Sequence, residues 1–227
     1  MLAVDGEKIA CTLLEPAGAA TGRSAVVLHG AGTADRTVHQ QTARLLAEHG
    51  RRTVSLDFSG HGASSGRLPE LSLRRRFEQA RQVIEELVPG GDELLLVGAS
   101  MSGQTVADLV HHYGTRVTAI GLLAPAVYSR RAWDLRFDAG FTEAIRTPQA
   151  WRDSAALAAY ARFTGRAVLA VPAADHVIPQ AVTEALAQAL TTQADLTHLV
   201  LPEATHHLGQ YFRAHPGACA RFVDALT

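Results

Sequence analysis

Short apolar runs of strand length alternate with stretches of helical period along nearly the whole chain, and this alternation limits the fold more than any single motif. Ile9 to Leu14, Ser24 to His29, Arg52 to Asp57, Glu93 to Gly98, Val117 to Leu123, Ala167 to Val171 and Leu196 to Leu201 each read as a strand. The central runs, such as Leu94-Leu95-Leu96-Val97, are apolar without alternation, as strands covered on both faces must be. Between them, Val38 to His49 carries Ala43, Leu45 and Leu46 and stops at Gly50. Leu73 to Leu87 carries Phe77, Ala80, Ile84 and Leu87 and stops before Pro89-Gly90-Gly91. Met101 to Tyr113, Pro179 to Leu190 and Phe212 to Leu226 predict three further helices, with Pro216 offering the last an alternative first turn. Such an order predicts an α/β fold: a mostly parallel sheet with right-handed crossovers and helices on both faces.

One stretch breaks the rhythm. Tyr128 to Gly165 is longer than a crossover needs and holds both tryptophans of the chain, Trp133 and Trp151, with Phe137, Phe141, Tyr160 and Phe163. The expectation is one domain, with an α/β core over 1–127 and 166–227 and a small inserted helical cap over 128–165; the alternative is a long crossover whose aromatics fill space. A chain of 227 residues is of single-domain size. With 47% hydrophobic and 19% charged residues it is not disordered.

Twenty-one Lys and Arg oppose 22 Asp and Glu, and the net charge of -1 gives no bulk attraction to nucleic acid or to an anionic membrane. The opening residues, Met1 to Lys8, place acids where a signal peptide needs bases, and no run approaches 18 apolar residues. A cytoplasmic protein acting on a small molecule, with no membrane or nucleic-acid partner, is expected, and its oligomeric state is left open. Cys11 and Cys219 form no CxxC or metal-ligand pattern and read as core fillers. No cofactor or metal is expected.

Four segments carry chemistry. In Leu96-Val97-Gly98-Ala99-Ser100-Met101-Ser102-Gly103 a strand ends, a serine sits among small residues and a helix begins. A nucleophile elbow needs this arrangement, because its strained turn tolerates only small neighbours and the new helix aims N–H groups at the serine oxygen. Ser102 stands where the Gly-x-Ser-x-Gly pattern has its last glycine, and a small-residue helix cap is the plainer reading. The glycines of His29-Gly30-Ala31-Gly32 let main-chain N–H groups approach an anionic oxygen. The Walker lysine and the dinucleotide glycine spacing are missing, so an oxyanion loop, with Ala31 and Met101 as donors, is favoured over a phosphate loop; a plain reversing turn stays open. Asp175, in Ala174-Asp175-His176-Val177-Ile178-Pro179, follows a core strand and so lies at the functional edge of such a sheet, unless it is only a helix cap. His206 and His207 follow the last strand, where a surface pair is the plainer reading. The order serine, acid, histidine is that of one hydrolase superfamily.

These residues make the chain resemble the α/β-hydrolases over essentially its whole length, and most of all small serine esterases of the feruloyl/cinnamoyl esterase type. Asp57-Phe58-Ser59-Gly60-His61-Gly62-Ala63-Ser64-Ser65-Gly66 is similar to that group's loop after an early core strand, and His29-Gly30 to its oxyanion loop. Asp175 followed by Ile178-Pro179 is similar to the acid loop, and Pro202 to His206 to the histidine loop. The resemblance implies Ser100, Asp175 and His206 as catalytic triad, with His206 preferred to His207 and His176. Ala99, where such enzymes often carry His, and Ser102 depart from the pattern. The activity implied is hydrolysis of a carboxylic ester through an acyl-enzyme. The alternatives are a thioesterase acting on carrier-protein or coenzyme A acyl groups, or a non-catalytic binding protein on the same scaffold. Trp133, Phe137, Phe141 and Trp151 are expected to line the substrate cleft.

Overall fold

The structure, a computed structural model, describes residues 1–16, 18 and 21–227. Its strands are β1 (Leu2–Val4), β2 (Glu7–Ile9), β3 (Cys11–Leu14), β4 (Arg23–Leu28), β5 (Arg52–Leu56), β6 (Glu93–Ala99), β7 (Val117–Leu123), β8 (Arg166–Pro172) and β9 (Asp195–Leu201). The helices are α1 (Gln40–Glu48), α2 (Leu73–Leu87), α3 (Ser102–Tyr113), α4 (Thr142–Arg146), α5 (Ala155–Arg162), α6 (Gln180–Leu190), α7 (Leu208–Ala214) and α8 (Pro216–Asp224). Among the described residues the main sheet has the order β3-β5-β4-β6-β7-β8-β9. β3 is antiparallel to β5, and the other neighbours are parallel.

The early strand predicted over Ile9 to Leu14 is broken at Ala10. Its N–H goes to Ser64 Oγ at 2.8 Å and its carbonyl accepts from Asp57 N at 2.9 Å. β1 and β2 form a separate hairpin about Asp5-Gly6, both at positive φ (52° and 75°), as a tight two-residue turn requires. The single helix predicted over Phe212 to Leu226 is two helices. Pro216 bars helical backbone at the residue before it, and His215 has φ -127°.

The blocky apolar strands feed two cores, one on each face of the sheet. Val26, Leu28, Leu94 and Leu96 face α2, α3, α5 and α6, while Ala25, Val27, Leu95 and Val97 face α1, α7 and α8. β4 lies between β5 and β6, so the chain moves first one way and then the other from it, and the loops after β4 and β6 emerge side by side. Leu28 pairs with Gly98, which places Gly30 and Ser100 level, two residues beyond the paired positions. Pro172 pairs with Leu201 in the same way and brings the loops of Asp175 and His206 together.

Between β7 and β8 the chain forms short helical turns before α5. The expectation that all of 128–165 forms a cap is too broad. α5 packs against α3 and α6 as an ordinary covering helix, and Tyr160 and Phe163 are buried in the sheet core. Only the part up to about residue 153 adds a raised segment with an apolar cluster of its own, in which Ala132, Phe141 and Ala144 pack with Leu73 and Met101. It is tied to α3 by a polar chain: Ser154 Oγ donates to Gln104 Oε1 (3.2 Å), Gln104 Nε2 donates to Asp108 Oδ1 (3.0 Å) and Trp133 Nε1 donates to Asp108 Oδ2 (3.0 Å). Burial raises the Asp108 carboxyl to about 6 against these two hydrogen bonds. Among the described residues no helix is long and apolar enough to cross a membrane.

The raised Asp108 value implies a pH dependence with a definite sign. Between pH ~4 and ~6 the folded protein keeps a proton that the unfolded chain releases, so the contribution of this group falls as pH rises and is lost above about 6. The stability of wild type minus that of D108N, from urea titrations, should decline over this window, by at most ~3 kcal/mol, and be flat above pH 7. A difference that rises with pH would contradict the assignment.

Candidate active site

Ser100 has φ 49°, a left-handed conformation that a non-glycine residue keeps only where its surroundings enforce it. Its N–H donates to Leu123 O (2.9 Å), and its carbonyl accepts from Gly103 N (2.9 Å) and Ala126 N (2.8 Å), so the turn is bolted to the end of β7. Small neighbours are obligatory. A Cβ at Gly98 would lie 2.6 Å from Val106 Cγ2 and 2.7 Å from Ser102 O. One at Gly103 would lie 2.7 Å from Pro125 Cβ and 2.8 Å from Ala126 O. The glycine that this turn needs on its far side is therefore the one at 103. Ser102 fits because its hydroxyl turns inward and donates to His29 O at 2.6 Å.

The side chains of Ser100, Asp175 and His206 meet although they come from the ends of three strands. His206 Nε2 is 3.0 Å from Ser100 Oγ, and His206 Nδ1 is 2.9 Å from Asp175 Oδ2. The other carboxylate oxygen, Oδ1, accepts from Val177 N (2.8 Å) and Ile178 N (3.0 Å), which fixes the carboxylate plane. Burial alone would raise the Asp175 carboxyl, but the hydrogen bonds from His206, Ile178 and Val177 outweigh it and hold it below its ordinary value. His207 occupies the residue before α7 without a side-chain capping bond, and His176 is exposed; neither bonds to Ser100 or Asp175.

The loop after β4 closes on the serine from the other side. A Cβ on Gly30 would sit 3.2 Å from Ser100 Cβ, tighter than an ordinary van der Waals contact, so one of the two would have to give way. Ala31 N and Met101 N donate to no backbone or side-chain acceptor among the described residues. His29 is buried and neutral. Phe58 N donates to its Nε2 at 3.1 Å, leaving Nδ1–H for Gly30 O at 2.7 Å. Burial and then the nearby Arg76 push its pKa well below the ordinary imidazole value. Asp57 accepts from Ala63 N (2.8 Å) and Arg36 N (2.7 Å) and pairs with the Arg36 guanidinium, so it serves its own loop.

A cavity of about 450 Å³ opens beside Ser100 and His206, lined by the 30–34 loop, Val38, His39, Ala99, Leu123 and residues 207–210. Trp133, Phe137, Phe141 and Trp151 do not line it, contrary to the sequence expectation. The rings of Phe137 and Phe141 meet in a tilted contact, 4.5 Å between centroids, and pack with Tyr128, Leu73 and Met101. Trp133 joins that cluster and is held by Asp108, beside a different cavity of about 280 Å³. Trp151 packs on the sheet core. The raised segment consumes its aromatic surface in its own packing. Sequence reading missed His39, whose imidazole lines the cavity with Nδ1 buried and unpaired and its pKa lowered by burial to about 4. It missed Arg76 as well, which lies in the arginine run 74–76. The available signal was its place on the apolar stripe of Leu73, Phe77 and Ala80.

The sheet order, the strained serine turn and the adjoining loops define an α/β-hydrolase. Residues 21–150 match the family described as serine aminopeptidase, S33, and the chain belongs to that family. No curated protein matches the sequence. Among solved structures, Est1E from Butyrivibrio proteoclasticus with ferulic acid bound superposes with TM-score 0.74 at 16% identity, over 98% of this chain and 97% of the other. A thioesterase domain from the curacin biosynthetic pathway gives 0.71 at 18% identity, over 98% and 97%. Monoacylglycerol lipase from Paleococcus ferrophilus gives 0.69 at 20%, over 96% and 99%. At these identities the likeness is one of fold.

The packing at the elbow sets an expectation for G98A. A methyl group there meets the backbone of Ser102 and a buried valine, and should cost about 1–3 kcal/mol in urea denaturation. A variant of wild-type stability would show that the turn has slack.

Proposed function

We propose that the protein is a serine hydrolase that cleaves a carboxylic ester of a small or medium substrate. The observation that carries this reading is His206 placed between Ser100 Oγ and Asp175, beside a cavity of small-molecule size. Ser100 Oγ attacks the ester carbonyl while His206 Nε2 takes its proton. Asp175 holds the imidazole tautomer and stabilises the imidazolium. Ala31 and Met101 N–H groups receive the oxyanion, at the positive end of α3. The intermediate collapses as His206 returns the proton to the leaving alcohol. Water, deprotonated by His206, then attacks the acyl-enzyme, and the acid and free Ser100 are released.

Residues 128–153 act as a small cap within the same domain. It supports Met101 and Ala31 from behind, where both pack against its apolar cluster. An ester fits better than a coenzyme A thioester, because no arginine or lysine lines the cavity among the described residues to meet the carrier phosphates. The intact Ser100–His206–Asp175 geometry argues against a purely binding role.

The test is a panel of p-nitrophenyl esters, feruloyl esters and acyl-coenzyme A thioesters. Wild type should turn over the esters, S100A should lose about 10⁶-fold in kcat, and H206A combined with S100A should be no worse than S100A alone. An S100A variant of undiminished activity would remove the serine from the chemistry. On the best ester, A31G keeps the N–H and should cost little, whereas A31P should lose about 10²–10³-fold in kcat with its thermal midpoint retained. A fully active A31P would take Ala31 out of the oxyanion site.

A further inference from the structure

Arg76 on α2 is fully buried, with 0% exposure, and no carboxylate among the described residues pairs with it. Its Nη2 donates to His29 O and to Ser102 Oγ, both at 2.8 Å. Ser102 Oγ in turn donates to His29 O at 2.6 Å, closing a triangle. The guanidinium carbon lies 3.7 Å from the centroid of the Phe58 ring. Nε and Nη1 have no hydrogen-bond partner among the described residues. Burial lowers its pKa to about 9, which leaves it charged at neutral pH.

As a contribution to stability this is a poor arrangement. A buried cation without a counter-charge is costly, and a cation–π contact recovers only part of that cost. A methionine of similar length would fill the same space with no charge to desolvate. What the arginine does supply is position. His29 O belongs to the peptide one step before the one that carries the Ala31 N–H, and Ser102 follows Met101 directly. The two segments come from different strands, β4 and β6, and beyond the last pair, Leu28 with Gly98, the sheet no longer holds them together. Arg76 and Ser102 join them there.

We infer that Arg76, acting through Ser102 and the His29 carbonyl, is a positioning residue that fixes the spacing of the Ala31 and Met101 N–H groups around the oxyanion. The inference rests on the serine-hydrolase reading of Ser100. It also gives the departure from the family pentapeptide a role: the hydroxyl at 102 is the second strut of the same brace.

Full-length R76M, R76K and S102A are compared with wild type in three measurements. These are kcat and KM on the best p-nitrophenyl ester, the inhibition constant of an arylboronic acid that adds to Ser100, and the thermal midpoint. The rate of Ser100 labelling by a fluorophosphonate serves as an activity readout that needs no known substrate. For R76M, kcat and labelling should fall about 10–100-fold, below the ~10²–10³ cost of deleting a donor outright, with KM within about threefold. Boronate affinity should fall in parallel with kcat/KM, and the thermal midpoint should stay level or rise. R76K should recover part of the loss, because the ammonium reaches the same acceptors without the planar fork. S102A should lose several-fold in kcat by the same pattern. A labelling wild type with R76M of equal rate and equal boronate affinity overturns the inference and leaves Ser100 untouched. Should R76M fail to fold, S102A decides: wild-type kcat and boronate affinity there overturn the inference too. A wild type that neither labels nor turns over refutes the hydrolase reading, and the inference falls with it.

Discussion

The left-handed turn at Ser100 is the constraint around which the rest of the structure is arranged. A serine at positive φ does not persist unaided, and here two hydrogen bonds, to Leu123 O in β7 and from Ala126 N in its exit loop, impose it together with a third from Gly103 N in α3. The close approach that makes those bonds possible leaves no room for side chains at 98 and 103, and the loop from β4 must present Gly30 to the serine Cβ. The strain at one residue is sustained by glycines at three others and by the apolar strands beneath them. This is how such sites keep an unfavourable backbone geometry: the surroundings over-determine it.

Polar groups buried around this turn follow two different logics. Asp175 has its hydrogen bonds fully aimed, one oxygen at loop N–H groups and the other at His206, so the negative charge is held where an imidazolium would form. Arg76 is the opposite case, a buried charge with two of its nitrogens unpartnered. The first contributes both to stability and to the chemistry proposed. The second makes sense only if the geometry it imposes on the two facing loops is worth its desolvation. Asp108, remote from Ser100, has its two hydrogen bonds in place and ties the raised segment to α3.

The raised segment shows how composition misleads about position. Its aromatic residues suggested a ligand-facing surface, yet a short segment above a sheet must first bury its own apolar area to be ordered at all. Phe137, Phe141 and Tyr128 do that against each other and against Met101. The cavity beside Ser100 is formed instead by the glycine-rich loop after β4 and the first turn of α7, segments with few large side chains.

Read alone, the sequence determined the layer architecture, because period-2 and period-3.6 patterns and unbroken apolar strands are properties of local chain geometry. It also located the turn at Ser100 and the loops of Gly30, Asp175 and His206, since each is a strand end marked by small or turn-forming residues. The hidden break at Ala10, the helix boundary at His215 and the membership of α5 in the covering layer were less legible, being settled by partners far away in the chain. Only the tertiary structure decided which side chains meet: that Nε2 of His206 reaches Ser100, that the four aromatics at 133, 137, 141 and 151 turn away from the cavity, and that one arginine of the run 74–76 lies at 0% exposure under the loop of His29. The physical reason is that periodicity encodes which face of an element is covered, whereas the identity of the contacting atoms depends on register and packing between strands β4, β6, β8 and β9, which no local pattern carries.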